Sequence, residues 1–223
     1  ARILSPAALA PLDFHASPLG RAPLAAERMV VYGLGLPGPQ VDAEGTVLVV
    51  ADPQGNLPEA RAEARAVLAA VPDAHLLQGF EATGAGLRAG LAHAALLHYA
   101  GHGREHGGWG SELPLADGAA LRVGDILALP RVPARVVLSG CETGAAAGEH
   151  GVGLGLAQAF ILAGARGVVA ATRPVPDATA RALMEALYAE DPSDLVVALH
   201  RAQARLRAHD PEADWAAFRI FVP

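Results

Sequence analysis

The chain contains no lysine. All 17 of its basic residues are arginine, and with the heavy alanine and glycine usage this fits GC-rich coding bias better than a functional adaptation. The arginines form no cluster and the formal net charge is -6, so nothing marks a surface for direct nucleic-acid binding. There is a single cysteine, Cys141, which excludes a disulfide framework and makes a reducing, cytoplasmic setting the expected one. Aromatics amount to only 4%, so alanine, leucine and valine must fill the core. Apolar runs are short, each broken by glycine, proline or charge, and none approaches the ~18–20 residues of a membrane span. The start, Ala1-Arg2-Ile3-Leu4, carries neither an initiator methionine nor a signal-peptide pattern, and it reads as the edge of a fragment cut from a longer protein.

What is present is ample apolar material. With 52% hydrophobic and 18% charged residues in 223, the chain can build one large domain, or a domain with an appendage. Residues 1–45 are rich in proline and glycine, with apolar stretches at Ile3-Leu4 and Met29–Leu36. They are expected to form short strands or a hairpin, an N-terminal extension of a main domain over 46–223.

From Thr46 the pattern alternates. Thr46–Ala51, Ala74–Leu77, Ala95–Ala100, Ala134–Ser139 and Arg166–Ala171 read as strands, with Phe218–Val222 as a last strand closing the sheet. Helical spacing predicts helices over Leu57–Val71, Gly84–Ala92, Val123–Leu129, Val152–Ala163, from Asp177 as N-cap, and over Ser193–Ala208. A glycine-rich loop with a hairpin turning at Asp117-Gly118 fills 103–118. Solidly apolar strands alternating with helices imply a mainly parallel sheet flanked by helices on both faces. Ligands in such sheets bind beyond the carboxyl ends of the strands. The loops leaving three of these strands carry His102, Cys141 and the segment Arg173–Asp177.

A lone cysteine is often a small buried hydrophobe, and a loop histidine is often merely solvated. The setting argues otherwise. Ser139-Gly140-Cys141-Glu142-Thr143-Gly144 puts the thiol just past a strand between glycines, which admit a substrate backbone closely. His102 likewise follows a strand, within Gly101-His102-Gly103. A histidine near a thiol takes its proton, stabilises the thiolate and can return the proton to a leaving amine. The backbone N–H groups of Gly103 and Cys141 are candidates for an oxyanion hole. His98, His102 and His106 recur every four residues, but Gly101, Gly103, Gly107 and Gly108 forbid the helix that would converge them, so neither a metal nor any other cofactor is expected. Gly151-Val152-Gly153-Leu154-Gly155 lacks the preceding strand and the spacing of a dinucleotide fingerprint, and its glycines suit close helix packing.

The run Leu97-His98-Tyr99-Ala100-Gly101-His102-Gly103, followed by Val136-Val137-Leu138-Ser139-Gly140-Cys141-Glu142-Thr143-Gly144, resembles the CHAT domain family. Matches at Leu115-Ala116-Asp117-Gly118, Gly151–Phe160, Ala163-Gly164-Ala165-Arg166, Val168-Val169-Ala170 and Trp215-Ala216-Ala217-Phe218 extend the resemblance over the chain. It implies a caspase-like three-layer α/β sandwich and a clan CD cysteine endopeptidase with a Cys–His dyad. His102 and Cys141 fall on the catalytic positions and Gly103 on the oxyanion position. It also implies protein substrates, upstream regulatory or sensor domains in the same protein, and a role in bacterial defence or regulated cell death; the short apolar runs already gave no expectation of a membrane partner.

One departure concerns specificity. Where the family usually shows Leu-Trp-Pro-Val, this chain has Thr172-Arg173-Pro174-Val175. The resemblance places this loop and Ser139 around the pocket for the residue before the cut. Arg173 there would hold an acidic side chain, and Asp177 a basic one. An inactive caspase-like scaffold used for protein interaction, or a flavodoxin-like nucleotide domain, are the competing expectations.

Overall fold

The computed structural model describes residues 1–4, 9, 12–35, 41, 43–104, 109–140 and 155–223. In chain order its strands are β1 (Arg2–Ile3), β2 (Pro18–Leu19), β3 (Ala22–Pro23), β4 (Val31–Gly33), β5 (Thr46–Ala51), β6 (His75–Gln78), β7 (Ala94–Ala100), β8 (Glu112–Pro114), β9 (Ala120–Arg122), β10 (Arg135–Ser139), β11 (Gly167–Ala171) and β12 (Phe218–Val222). The helices are α1 (Leu24–Glu27), α2 (Pro58–Ala70), α3 (Gly84–Leu91), α4 (Val123–Leu127), α5 (Leu156–Leu162), α6 (Asp177–Tyr188) and α7 (Leu195–His209).

The apolar runs become the middle of one eight-stranded sheet in the order β1-β4-β12-β11-β10-β7-β5-β6. From β11 to β6 all neighbours are parallel, while β12 is antiparallel to β11 and leads a parallel trio with β4 and β1. Period-two alternation sends successive side chains to opposite faces. Leu48, Val50, Leu97, Tyr99, Val136, Leu138 and Val168 enter one core, with Leu87 and Leu91 of α3, Ile126 of α4 and Phe160 of α5. Val49, Leu96, Val137 and Val169 enter the other, with Val67 of α2, Leu183, Met184 and Leu187 of α6, and Leu199 of α7. The result is the expected three-layer, mainly parallel sandwich.

Several local expectations change. The two apolar stretches before residue 45 form short strands, one of the two forms expected, and not a hairpin with each other. β1 and β4 pair in parallel and β4 docks on β12, so both belong to the main sheet, while the tight antiparallel turn lies at β2–β3. In consequence β12 is an interior strand, not the closing edge. Asp177 is the first residue of α6 rather than its cap. Pro176 occupies the cap and no side chain bonds there. At α7 the capping carboxylate is Asp194, which accepts from the Val196 and Val197 N–H groups at 3.1 Å each. The hairpin at Asp117-Gly118 forms as β8–β9, with Gly118 at φ +75° supplying the left-handed turn residue.

Candidate active site

The strands β5, β7, β10 and β11 are neighbours whose carboxyl ends lie level, with Ala100 opposite both Ala51 and Ser139. Beyond them opens a cavity of about 470 Å³, counting its mouth. His102 lines it from the end of β7, Ser139 and Gly140 from the end of β10, and Ala171 from the end of β11. The start of α2 supplies Glu59 and Glu63, and the start of α6 supplies Asp177.

His102 is fixed by its neighbours rather than by its own loop. Its Nε2 lies 3.0 Å from the Asn56 side-chain oxygen. An amide oxygen only accepts, so Nε2 carries the proton and Nδ1 is left as the basic nitrogen. Asn56 is itself held by the turn after β5. Buried Asp52, the one non-glycine residue with positive φ (+45°) among the described residues, accepts from the Asn56 and Leu57 N–H groups at 2.9 Å each and from Arg61 Nε at 2.5 Å. The Asp52 N–H in turn donates to the Ala100 carbonyl at 2.8 Å, tying the two loops together.

From below, Tyr99 shares its hydroxyl proton between the carbonyls of His102 and Pro114, each 2.9 Å away. Burial pushes this phenol far above its ordinary value, so it stays a donor. Gly101 is required by this arrangement, because a Cβ there would stand 2.8 Å from the Tyr99 oxygen. After Gly103, Arg104 and Glu112 exchange backbone hydrogen bonds of 3.0 and 2.9 Å, which anchors the loop to the β8–β9 hairpin.

Ser139 does not stand free at the strand end. Its hydroxyl donates to Glu63 Oε2 at 3.0 Å. Glu63 Oε1 lies 2.9 Å from His98 Nε2 without a well-aligned hydrogen bond, and His98 Nδ1 lies 3.1 Å from the Tyr188 hydroxyl. Ser139, Glu63, His98 and Tyr188 thus form a buried polar chain from the cavity into the α2–α6 side of the sheet. Burial also holds the Tyr188 phenol protonated, well above its ordinary value.

Of the six residues singled out from sequence, His102, Ser139 and Asp177 line this same cavity. Gly103, the residue after His102, is not among those that line it. Cys141 lies outside the described residues, as does His106, and the described chain stops at Gly140 on the cavity wall. Arg173 is elsewhere. Its guanidinium forms a two-pronged pair with Asp214 at 2.8 and 2.5 Å and reaches Asp13 at 2.5 Å, and it does not line the cavity. Asn56, Asp52, Tyr99 and Glu63 were not singled out. The strand-end rule, applied to β5 as it was to β7 and β10, would have reached Asp52-Pro53-Gln54-Gly55-Asn56, a run of turn formers directly after that strand. Glu63 had no such signal beyond being a charge among the alanines of α2.

A CHAT domain model matches residues 15–222. A search of curated proteins finds no match. Among solved structures, the fold is similar to separase in the Saccharomyces cerevisiae separase–securin complex, with a TM-score of 0.63 and 17% identity over 87% of this chain and 14% of that one. It is also similar to the complex of the RgpB pro- and mature domains from Porphyromonas gingivalis (TM-score 0.56, 13% identity, 83% of this chain and 49% of that one). The Arg-specific cysteine proteinase gingipain R gives the same TM-score at 13% identity, over 83% of this chain and 48% of that one. The chain therefore spans one-seventh to one-half of the structures it resembles. The strand order, the cavity beyond the parallel strand ends and the match over nearly the whole length lead to one assignment: this chain belongs to the CHAT domain family and has the caspase-like fold of cysteine peptidases.

Proposed function

We propose that the domain is a cysteine endopeptidase in which His102 is the base and Cys141 the nucleophile. The observation that carries this reading is the placement of His102. Its Nε2–H is committed to Asn56, Nδ1 has no hydrogen-bond partner among the described residues, and it lines the same cavity as Gly140, the residue before the thiol.

In the reaction, His102 takes the thiol proton and the thiolate attacks the scissile carbonyl carbon. The oxygen gains negative charge, which the N–H groups of Gly103 and Cys141 stabilise. Collapse breaks the C–N bond as His102 returns the proton to the amine, leaving a thioester on Cys141. Water, deprotonated by His102, then attacks the thioester, releasing the carboxylic acid and the thiol.

The substrates are proteins, and other parts of the parent protein control the site. The two crystallised complexes named above, separase with securin and mature RgpB with its pro-domain, support protein-level control by analogy. A cytoplasmic effector role in bacterial defence or regulated cell death follows from the family resemblance. The test is cleavage of a candidate partner protein by the wild type, Cys141→Ala and His102→Ala. Both variants are expected to lose at least about 1000-fold in rate, as removal of a nucleophile or its base does. Cleavage by either variant at the wild-type rate would contradict the mechanism.

A further inference from the structure

Among the described residues, the cavity beside His102 is lined by three carboxylates, Glu59, Glu63 and Asp177, and by no arginine. They are not equivalent. Glu59 has a counter-charge, Arg181 Nε at 2.8 Å. Asp177 lies exposed at the mouth, on the first residue of α6, and no cation pairs with it among the described residues. Glu63 is the unusual one, being only 3% exposed. A buried carboxylate is costly unless its oxygens are satisfied. Its Oε2 is satisfied by the Ser139 hydroxyl, but Oε1 has only the misaligned contact with His98 and makes no well-formed hydrogen bond. The pocket therefore contains a fixed acceptor with unused capacity, in a setting where a cation would be strongly attracted.

Resting on the peptidase reading above, we propose that Glu63 is the specificity-determining residue and that the pocket takes a basic side chain, arginine or lysine, at the residue before the cut. The side chain enters past Asp177, and its charged head meets Glu63. Ser139 and His98 are positioning residues. Ser139 fixes one carboxylate oxygen, and His98, braced by Tyr188, holds the other side of the group. The methylene stem of a basic side chain matches the apolar part of the lining, Leu57, Ala60, Val175 and Phe218. Arg173, the residue the sequence offered for an acidic partner, is already neutralised by Asp13 and Asp214 outside the cavity.

Two measurements on the 223-residue chain test this. In the first, a peptide library is digested by wild type and Glu63→Gln. Wild type is expected to cut after Arg or Lys, and Glu63→Gln to lose on the order of 100-fold in kcat/KM for those peptides, as when one partner of a buried charge pair is removed. Peptides with citrulline, which keeps the shape of arginine without the charge, should change little, so that the Arg-to-citrulline ratio collapses. Glu63→Asp, which keeps the charge but withdraws it by one methylene, should retain basic preference and shift it from Lys towards the longer Arg. This variant carries the test if Glu63→Gln does not fold.

In the second, a peptide amide ending in arginine, and its citrulline analogue, are titrated calorimetrically into Cys141→Ala, which needs no catalysis. Saturable binding of the arginine peptide alone supports the pocket assignment. Cleavage after acidic or apolar residues would overturn this inference and leave the peptidase reading standing. Binding of the arginine peptide with no cleavage of any peptide would do the reverse. Equal affinity for the two amides, or binding of neither, would also overturn it.

Discussion

At the scale of single residues, the account depends on Asn56 as much as on His102. The amide oxygen 3.0 Å from Nε2 selects the tautomer that can act as base, and Asp52 holds Asn56 in place through the turn. Asn56→Ala is expected to lower kcat/KM on the order of 100-fold, the usual cost of misplacing a catalytic group by about an ångström. Because Asn56 is exposed, its loss should leave the melting temperature within a few degrees of wild type. Asn56→Asp, which replaces the neutral acceptor with a charged one, should displace the pH–rate profile. A purely structural role for Asn56 would leave that profile where it is. The sequence made His102 legible because glycines flank it after a strand. Asn56 was hidden because its contact with His102 spans 46 residues of sequence, and no local pattern records that closure.

At the scale of elements, the site is made by strand ends. β7 carries both sides of the arrangement. Odd-numbered Tyr99 goes to one core and braces the carbonyl of His102, while even-numbered His98 goes to the other and contacts Glu63. Tyr99→Phe removes the donor shared by two carbonyls and should cost about 1–3 kcal/mol in stability, the usual penalty for leaving buried polar groups unsatisfied. It should also lower the cleavage rate beyond what the loss of folded protein explains, since the loop that carries His102 is loosened. Chemical denaturation paired with an activity assay at a temperature where both proteins are folded separates the two effects. The elements themselves were largely readable, because solid apolar runs leave few choices other than a sheet covered on both faces. What was not readable were the partners of weak strands. Arg2–Ile3 and Val31–Gly33 are too short and too bland to specify a neighbour, and their parallel pairing, with β4 laid on β12, is set by tertiary contact. The cap of α6 was misjudged for a related reason. Asp177 has the right residue type, but Pro176 takes the cap position, and Asp177 lies at the cavity mouth instead.

At the scale of the molecule, residues early and late in the chain are joined by ion pairs and ring contacts. Asp13 receives both Arg173 and buried Arg219, and Arg219 also lies over the Tyr32 ring at 4.6 Å. His15 is buried between Tyr32, whose hydroxyl is 2.7 Å from its Nδ1, and Trp215, at a centroid distance of 5.9 Å. Burial pulls the His15 imidazole from 6.5 to about 4, against the pull of Asp13 and with the help of Arg219. Between these values the unfolded chain binds the proton and the folded chain does not. Stability therefore rises with pH across this window and is lost as pH falls from 6.5 towards 4. The slope from this group is at most about 1.4 kcal/mol per pH unit. Thermal melts of wild type and His15→Gln over that range check this, and the variant is expected to show the flatter dependence.

The central claim, that His102 activates Cys141 beside this cavity, is tested most directly by intact-mass and peptide-mapping spectrometry after incubation with a peptidyl acyloxymethyl ketone carrying arginine at its reactive end. The account predicts a single adduct on Cys141 in the wild type, with labelling slowed at least about 100-fold in His102→Ala because the thiolate is no longer supported. Labelling of His102→Ala at the wild-type rate, or no adduct on Cys141 at all, would contradict it.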